Sequence, residues 1–429
     1  THYDGYDGLN RLAAFHRGVL NADGDGIASG LGRSEAFGLD GLGNWRTYGV
    51  DADGNGTNDL DQTRVHNKVN EIDTTDDHGD AAGDAIAATT GSNWIDPVYD
   101  AAGNMVFCAR PGAEATAGAA LNLVYDAWNR LVGAYADDGA TAGALDGGDT
   151  ALGAYTRDGL NRRIRRVTDP NGADVTYDEY YNESWQALEV RRDGDADPLD
   201  QYVWDVRYID AAAVRVRDGD TDGVQAGEQG ASSSDSVVYY LQDANFNVTG
   251  LVRHRVGAPA DPTKDGKVVE RYAYTPYGQP LVLNGESGAD ADGAVTDWSV
   301  DAGGASDWDN ELLYCGYRRT GETGLFDVRY RMYHPTLGRW TARDPIGYAN
   351  CTSLYCYIAG AVTGWVDPSG LAPNPAWPGG KPEVVLNLNE KTGGVTSEYY
   401  NQGRGSILER SAGYSDWDDD WEGPNVYND

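Results

Sequence analysis

The apolar positions of this chain come in short runs separated by turn-forming residues. Glu270-Arg271-Tyr272-Ala273-Tyr274-Thr275-Pro276-Tyr277-Gly278 alternates cleanly, which puts Tyr272 and Tyr274 on one face of a strand. Tyr330, Tyr333 and Trp340 read as strand-type aromatics, broken by Pro335 and Gly338 as a turn. A further strand is expected over Leu354-Tyr355-Cys356-Tyr357. Asp344-Pro345-Ile346-Gly347 and Asp367-Pro368-Ser369-Gly370 are expected turns. Proline fixes one φ, glycine supplies a positive φ, and the aspartate bonds back to the backbone. Apolar runs such as Val237 to Leu241 are short, far below a membrane span.

One unit recurs at uneven spacing. It appears as Tyr6-Asp7-Gly8-Leu9-Asn10-Arg11-Leu12, Leu39-Asp40-Gly41-Leu42-Gly43-Asn44-Trp45 and Tyr99-Asp100-Ala101-Ala102-Gly103-Asn104-Met105. It returns as Tyr125-Asp126-Ala127-Trp128-Asn129-Arg130-Leu131 and Thr156-Arg157-Asp158-Gly159-Leu160-Asn161-Arg162-Arg163-Ile164. A strand ends in an aromatic, an Asp opens a turn with Gly or Asn where φ turns positive, and an apolar strand begins. That is a β-hairpin repeat, and its recurrence predicts an elongating sheet in which each hairpin buries its faces on its neighbours.

Composition agrees. Gly at 57 residues with 2 Met argues against long helices, while 28 Tyr and 12 Trp against 5 Phe favour half-buried strands whose polar tips reach an edge or water. The 40% hydrophobic content can build a core. The expected fold is all-β. The net charge of −35 comes from 52 Asp and 16 Glu against 5 Lys and 28 Arg. Such a surface repels nucleic acid and anionic membranes and attracts cations.

The block Phe326-Asp327-Val328-Arg329-Tyr330-Arg331-Met332-Tyr333-His334-Pro335, Gly338-Arg339-Trp340 and the two Asp-Pro-x-Gly boxes closely resembles the Rhs-associated core of the Rhs/YD-repeat family. The recurring unit resembles the YD repeat, Val237 to Thr249 the family's last hairpin before the core, and Tyr274-Thr275-Pro276-Tyr277-Gly278 its Tyr-x-Pro-Tyr-Gly box. The resemblance covers residues 1 to about 371. It implies YD-repeat hairpins joined into a continuous β-sheet spiral that can close into a hollow shell. The expected organisation is a repeat region over 1–310 with acidic insertions, an Rhs-associated core over 311–371, and a variable tail over 372–429. The resemblance also implies self-cleavage after Leu371 by Asp344 and Asp367, with Arg343 biasing which of the two ionises. Two close carboxylates cannot both ionise, so one serves as acid while the other activates water. This chain departs from the family at Gly360-Ala361-Val362-Thr363-Gly364, where a Gly-Asn-Asn-Pro stretch is usual.

Acidic insertions lie between the repeats. Asp51, Asp53 and Asn55 alternate ahead of Gly56, with Asp59 at a ninth position. Asn21, Asp23 and Asp25 are similar, and so are Asp218, Asp220 and Asp222 with Glu228 following. Alternating oxygen ligands around a glycine turn suit calcium, although none of these runs places Glu at the twelfth position. Asp193-Gly194-Asp195-Ala196-Asp197 puts Pro198 where the glycine belongs. The plain alternative at each is a solvated hairpin tip. The stretches 73–92 and 285–309 read as mobile loops.

After Leu371 the composition shifts. Ala372 to Lys381 reads as a Pro/Gly linker, Val384 to Tyr400 as one more hairpin, and 416–421 as an exposed acidic end. The tail has no His or Cys, which argues against a compact toxin enzyme there. Cys108, Cys315, Cys351 and Cys356 show no metal spacing; two disulfides or free thiols are both open. The chain opens Thr1-His2-Tyr3-Asp4, and it is expected to be an excised piece of a longer chain, working outside the cell or on its surface. Two functions follow. One is a structural scaffold whose copies join head-to-tail through sheet edges into filaments or matrix. The other is an encapsulating shell of a toxin-delivery protein that self-cleaves after Leu371 to release its own C-terminal segment. Neither implies an external substrate, nucleic-acid binding or membrane insertion.

Overall fold

A computed structural model describes residues 2–23, 26–73, 84–116, 118–139, 143–168, 173–224, 235–254, 266–285, 298–300, 304–349, 351–375, 383–388, 395–400 and 408–411. The chain divides into two compact units, Thr1–Asn374 and Pro375–Asp429. In the first, six strands from His2–Tyr6 to Ile86–Thr90 form one antiparallel sheet in sequence order. Fifteen strands from Val98–Tyr99 to Trp298–Val300 form a second, again with every strand beside its sequence neighbours. The all-β expectation is met: among the described residues the only helical pieces are 3-10 turns. No helix among them is long and apolar enough to cross a membrane.

The meander follows from the repeat. In the turn at Asp158, the Oδ1 atom accepts the N–H groups of Leu160 and Arg162, each at 2.9 Å, and Oδ2 accepts Arg162 Nε at 2.7 Å. Asn161 sits at φ 72°, and Asp158 N–H closes the hairpin on Arg162 O at 3.0 Å. The turns opened by Asp7, Asp40, Asp100, Asp126 and Asp243 repeat this construction, with Asn10, Gly43, Gly103, Asn129 and Phe246 at positive φ. Asn67 and Asn182 open two more of the same kind, at Asn70 and Trp185. Reading for aspartate alone misses these two, because an Asn side-chain oxygen accepts the same N–H groups.

Much of the core block is buried within this first unit. Strands Arg318–Arg319, Phe326–Val328, Arg331–His334 and Arg339–Trp340 form a four-stranded sheet, with Tyr333 opposite Trp340. Tyr333, Trp340, Tyr355, Tyr357 and Phe326 are at most 1% exposed. Tyr333 and Tyr357 rings lie 4.2 Å apart and Trp340 meets both at 5.5 Å. Gly338 turns the last hairpin at φ 66°, and a Cβ there would lie 2.3 Å from Trp45 of the six-stranded sheet. Three expectations need correction. The stretches 73–92 and 285–309, expected as loops, carry the strands Ile86–Thr90 and Trp298–Val300, each paired at the end of its sheet. Tyr330 is not in a strand but in the tight turn between Val328 and Arg331, beside Arg329 at φ 49°. Leu354 to Tyr357 makes one bridge, Cys356 to Arg339, instead of a strand; Cys356 N–H turns back to Ser353 O and positive φ at Ile358 and Ala359 bends the chain away.

The second unit holds a three-stranded antiparallel sheet: Glu383–Leu388, Val395–Tyr400 and Leu408–Ser411. The expected hairpin is there, with Val384 opposite Tyr399. Its turn at 392–394, most of the linker and the acidic end lie outside the described residues.

Candidate functional site

Both Asp-Pro-x-Gly boxes are turns, as the residues require. Gly347 N–H bonds to Asp344 O at 3.0 Å and Gly370 N–H to Asp367 O at 3.3 Å, with both glycines near φ 70°. The fold brings the two aspartates to one guanidinium. Arg331 Nη2 lies 2.9 Å from Asp344 Oδ2 and 3.8 Å from Asp367 Oδ2. Arg331 also donates through Nε to Gly370 O and through Nη1 to Leu354 O. Burial pushes its pKa down to about 10, against the opposing pull of both carboxylates.

Asp367 is almost fully buried, and its Oδ1 gathers donors from the turn that follows: Ser369 Oγ at 3.0 Å and the N–H groups of Gly370, Leu371 and Ala372 at 2.9, 3.1 and 3.2 Å. Asp367 thus touches the amide nitrogen of the Leu371–Ala372 bond. Its own N–H is held by Tyr317 OH at 2.8 Å. Asp344 is less confined, with Oδ1 accepting Ile346 N–H at 3.0 Å. Burial raises the Asp344 pKa and the Asp367 charge adds to this, while Arg331 opposes both. Next to the pair, Arg329 grips Asp210 with two nitrogens at 2.9 and 2.6 Å and donates to Pro368 O, fixing the second box to the repeat sheet.

Arg343 sits elsewhere. Its Nη2 donates to the fully buried Glu71 at 2.7 Å, so its charge is directed to Glu71 rather than to the aspartate pair. Adjacency in sequence to Asp344 suggested it; the strand carrying Arg331 supplies the bridging cation instead. The spacing Arg331-x-Tyr333 was visible, but its use was not, because the contact is made across separate turns.

The acidic loops are folded by their own hydrogen bonds. Asp51 accepts Gly54 and Gly56 N–H, and Asp218 accepts Gly223 N–H. Oxygens of Asp51, Asp53 and Asp59 come within 4.8 Å of one another, as do those of Asp218, Asp220 and Asp222. Asn55 turns its amide to Asp53 at 2.9 Å. Asn21 and Asp23 lie in a turn closed by Asn21 N–H on Gly26 O, and Asp25 and Glu228 lie outside the described residues. A third group, Asp137, Asp138 and Asp149, joins two ends of a loop and has no motif to read. The cysteines Cys108, Cys315, Cys351 and Cys356 are free thiols.

No family model matches the chain. It is 28% identical over 293 residues to the toxin protein Tse5 of Pseudomonas aeruginosa, covering 68% of this chain and 19% of that protein. It is 26% identical over 285 residues to double-stranded DNA deaminase toxin A of Burkholderia cenocepacia, covering 64% and 17%. The crystal structure of TcdB2-TccC3-Cdc42 aligns with a TM-score of 0.52 at 18% identity, over 86% of this chain and 15% of that one. The chain spans less than a fifth of the length of each. In sequence it is similar to Rhs/YD-repeat-like shell proteins, and its fold is that of an Rhs-type shell. These likenesses favour the delivery-shell expectation over the filament-forming scaffold.

Proposed function

We propose that this chain is part of an encapsulating shell of a toxin-delivery protein, acting outside the cell that makes it, and that its core cuts the backbone after Leu371. The supporting observation is the contact of Asp367 Oδ1 with the Ala372 nitrogen while Arg331 holds Asp344 against the same site. Burial, and after it the neighbouring Asp367 charge, favour the protonated form of Asp344, so the pair carries its proton there. In the cut, the oxygen of a water bonds to the Leu371 carbonyl carbon and the bond to the Ala372 nitrogen breaks. The carboxylate of the pair takes one water proton and its carboxylic acid gives a proton to the departing nitrogen. Arg331 keeps both side chains in reach and prevents two bare carboxylates from facing each other. The cargo would be the segment beginning at Ala372.

Intact mass spectrometry of the freshly made chain tests this. The expected products end at Leu371 and begin at Ala372, and both Asp344→Asn and Asp367→Asn stay whole. A wild-type chain that remains at 46.1 kDa under all conditions would falsify the cleavage reading.

A further inference from the structure

Where the six-stranded sheet meets the core block, two arginines are buried without an acidic partner. Arg64 is 2% exposed and Arg339 is 6% exposed. Arg64 bonds through Nε to Gln62 Oε1 at 2.8 Å and through Nη1 to Leu337 O at 3.3 Å, while Arg339 Nη2 donates to Asn70 O. Among the described residues no carboxylate forms an ion pair with either. Glu114, whose field reaches Arg64, is spent on Gly112 N–H at 2.6 Å, and Glu71 bonds to Arg343, Tyr355 and Asn67. Aromatic rings cover what remains, with Trp45 4.5 Å from the Arg64 guanidinium carbon and Tyr355 4.8 Å from that of Arg339.

Three buried nitrogens here have no hydrogen-bond partner: Arg64 Nη2, Arg339 Nε and His66 Nδ1. All three residues line one cavity of about 20 Å³. A guest of roughly one water's size needs ~10–15 Å³ in that measure. Burial and the charges of Arg339, Arg64 and Arg46 push the His66 pKa down to about 2, so His66 is neutral and can donate through Nδ1–H. Burial first, with the like charge of Arg339 acting in the same direction, lowers that of Arg64 to about 9.

A water could satisfy the three donors. It could not offset two like charges removed from solvent, and uncompensated buried charge is among the costliest features a fold can carry. We propose that this cavity binds one small monovalent anion, chloride in ordinary media, between Arg64 and Arg339. The ion ties the repeat sheet, through Arg64 and His66, to the core hairpin, through Arg339. It is a local positive trap inside a chain whose overall field repels anions, so its occupancy comes from the desolvated donors rather than from steering.

The test uses the full chain at constant ionic strength, because any salt screens a net charge of −35. Melting temperature is measured in sodium chloride, sodium bromide and sodium gluconate. A rise with the logarithm of halide concentration, absent in gluconate, is expected from a ligand bound only by the folded state. Equal melting in all three overturns the proposal. Crystals grown in bromide are expected to give an anomalous peak between Arg64 Nη2 and Arg339 Nε, and a peak without anomalous signal, meaning water, overturns it without need of a variant. Arg64→Gln, where circular dichroism shows it folded, is expected to lose the halide dependence; an unchanged dependence counts against the site.

Discussion

Asp344 and Asp367 meet on one nitrogen: Arg331 Nη2 stands 2.9 Å from the first and 3.8 Å from the second. The two boxes are far apart in the chain, and neither turn alone would bring its carboxylate to the other. Their meeting depends on the strand Arg331–His334 running between them, which makes the pair a product of the folded core.

Arg331→Gln is therefore expected to abolish cleavage while Arg343→Gln leaves it running. Removing the first cation exposes the aspartates to each other. Removing the second strips a charged donor from buried Glu71, at a cost of about 1.5–3 kcal/mol. Gel analysis of cleavage with parallel denaturant melts separates the two. Loss of cleavage in the Arg343 variant at full stability would contradict this assignment.

Cleavage is also expected to slow as pH rises. The Asp344 pKa is raised, by burial first and then by the Asp367 charge, so its proton is retained above the usual value of 3.8 and is lost as pH climbs through the raised one. A rate that increases steadily with pH across that range would exclude a shared-proton pair. The rate is read from the time course of the Leu371 product.

The repeating turns make a different prediction. In Asp126 and Asp158 burial pushes the pKa up, but the guanidinium and N–H bonds of Arg130 and Arg162 outweigh it and leave each carboxyl below 3.8. Such a group binds fewer protons folded than unfolded. Its contribution is present above the unfolded value and is lost as pH falls through the folded one. Asp158→Ala is expected to destabilise by about 1–2 kcal/mol at neutral pH and to flatten the acid limb of the stability curve. Urea melts from pH 6 down to pH 3 measure both.

Glu179 is fully buried between Arg163, at 2.8 Å, and Arg318, at 3.2 Å, and these charges overcome burial to hold its pKa at about 2. Glu179→Gln leaves both arginines without that charge. The expected loss is about 3–5 kcal/mol, the range for breaking one side of a buried pair. A change under ~1 kcal/mol in urea melts would mean that Asp327, 3.5 Å from Arg163, and Glu311, 3.7 Å from Arg318, compensate.

Calcium is expected to raise the melting temperature at low ionic strength. The carboxylates of Asp51, Asp53 and Asp59, and those of Asp218, Asp220 and Asp222, stand within 4.8 Å of their own group, and a divalent ion would relieve that repulsion. Equal shifts with magnesium, or with sodium at matched ionic strength, would reduce the effect to screening. Asp53→Asn with Asp220→Asn should remove a specific response.

Local chemistry by itself determined the hairpins. An Asp four residues ahead of an Arg or Asn, with Asn or Gly between them where φ turns positive, closes a turn from contacts within five residues, so the sequence shows it directly. The same holds for both Asp-Pro-x-Gly boxes and for Tyr333 and Trp340 as neighbours across a hairpin. The Asn67 and Asn182 turns were equally local and were missed only because asparagine replaces aspartate. The tertiary structure alone decided which cation serves the aspartates. Arg343 is next to Asp344 in sequence, yet Glu71, from the Asn67 turn between the last two strands of the six-stranded sheet, claims it. It likewise decided that Leu354 to Tyr357 bends instead of pairing as a strand, that Asp137, Asp138 and Asp149 gather, and that Arg64 and Arg339 share a cavity. Each of these depends on residues brought together over long separations, where the pairing is set by which surfaces the stacked sheets and the core block bury against one another, and no spacing along the chain encodes that distance.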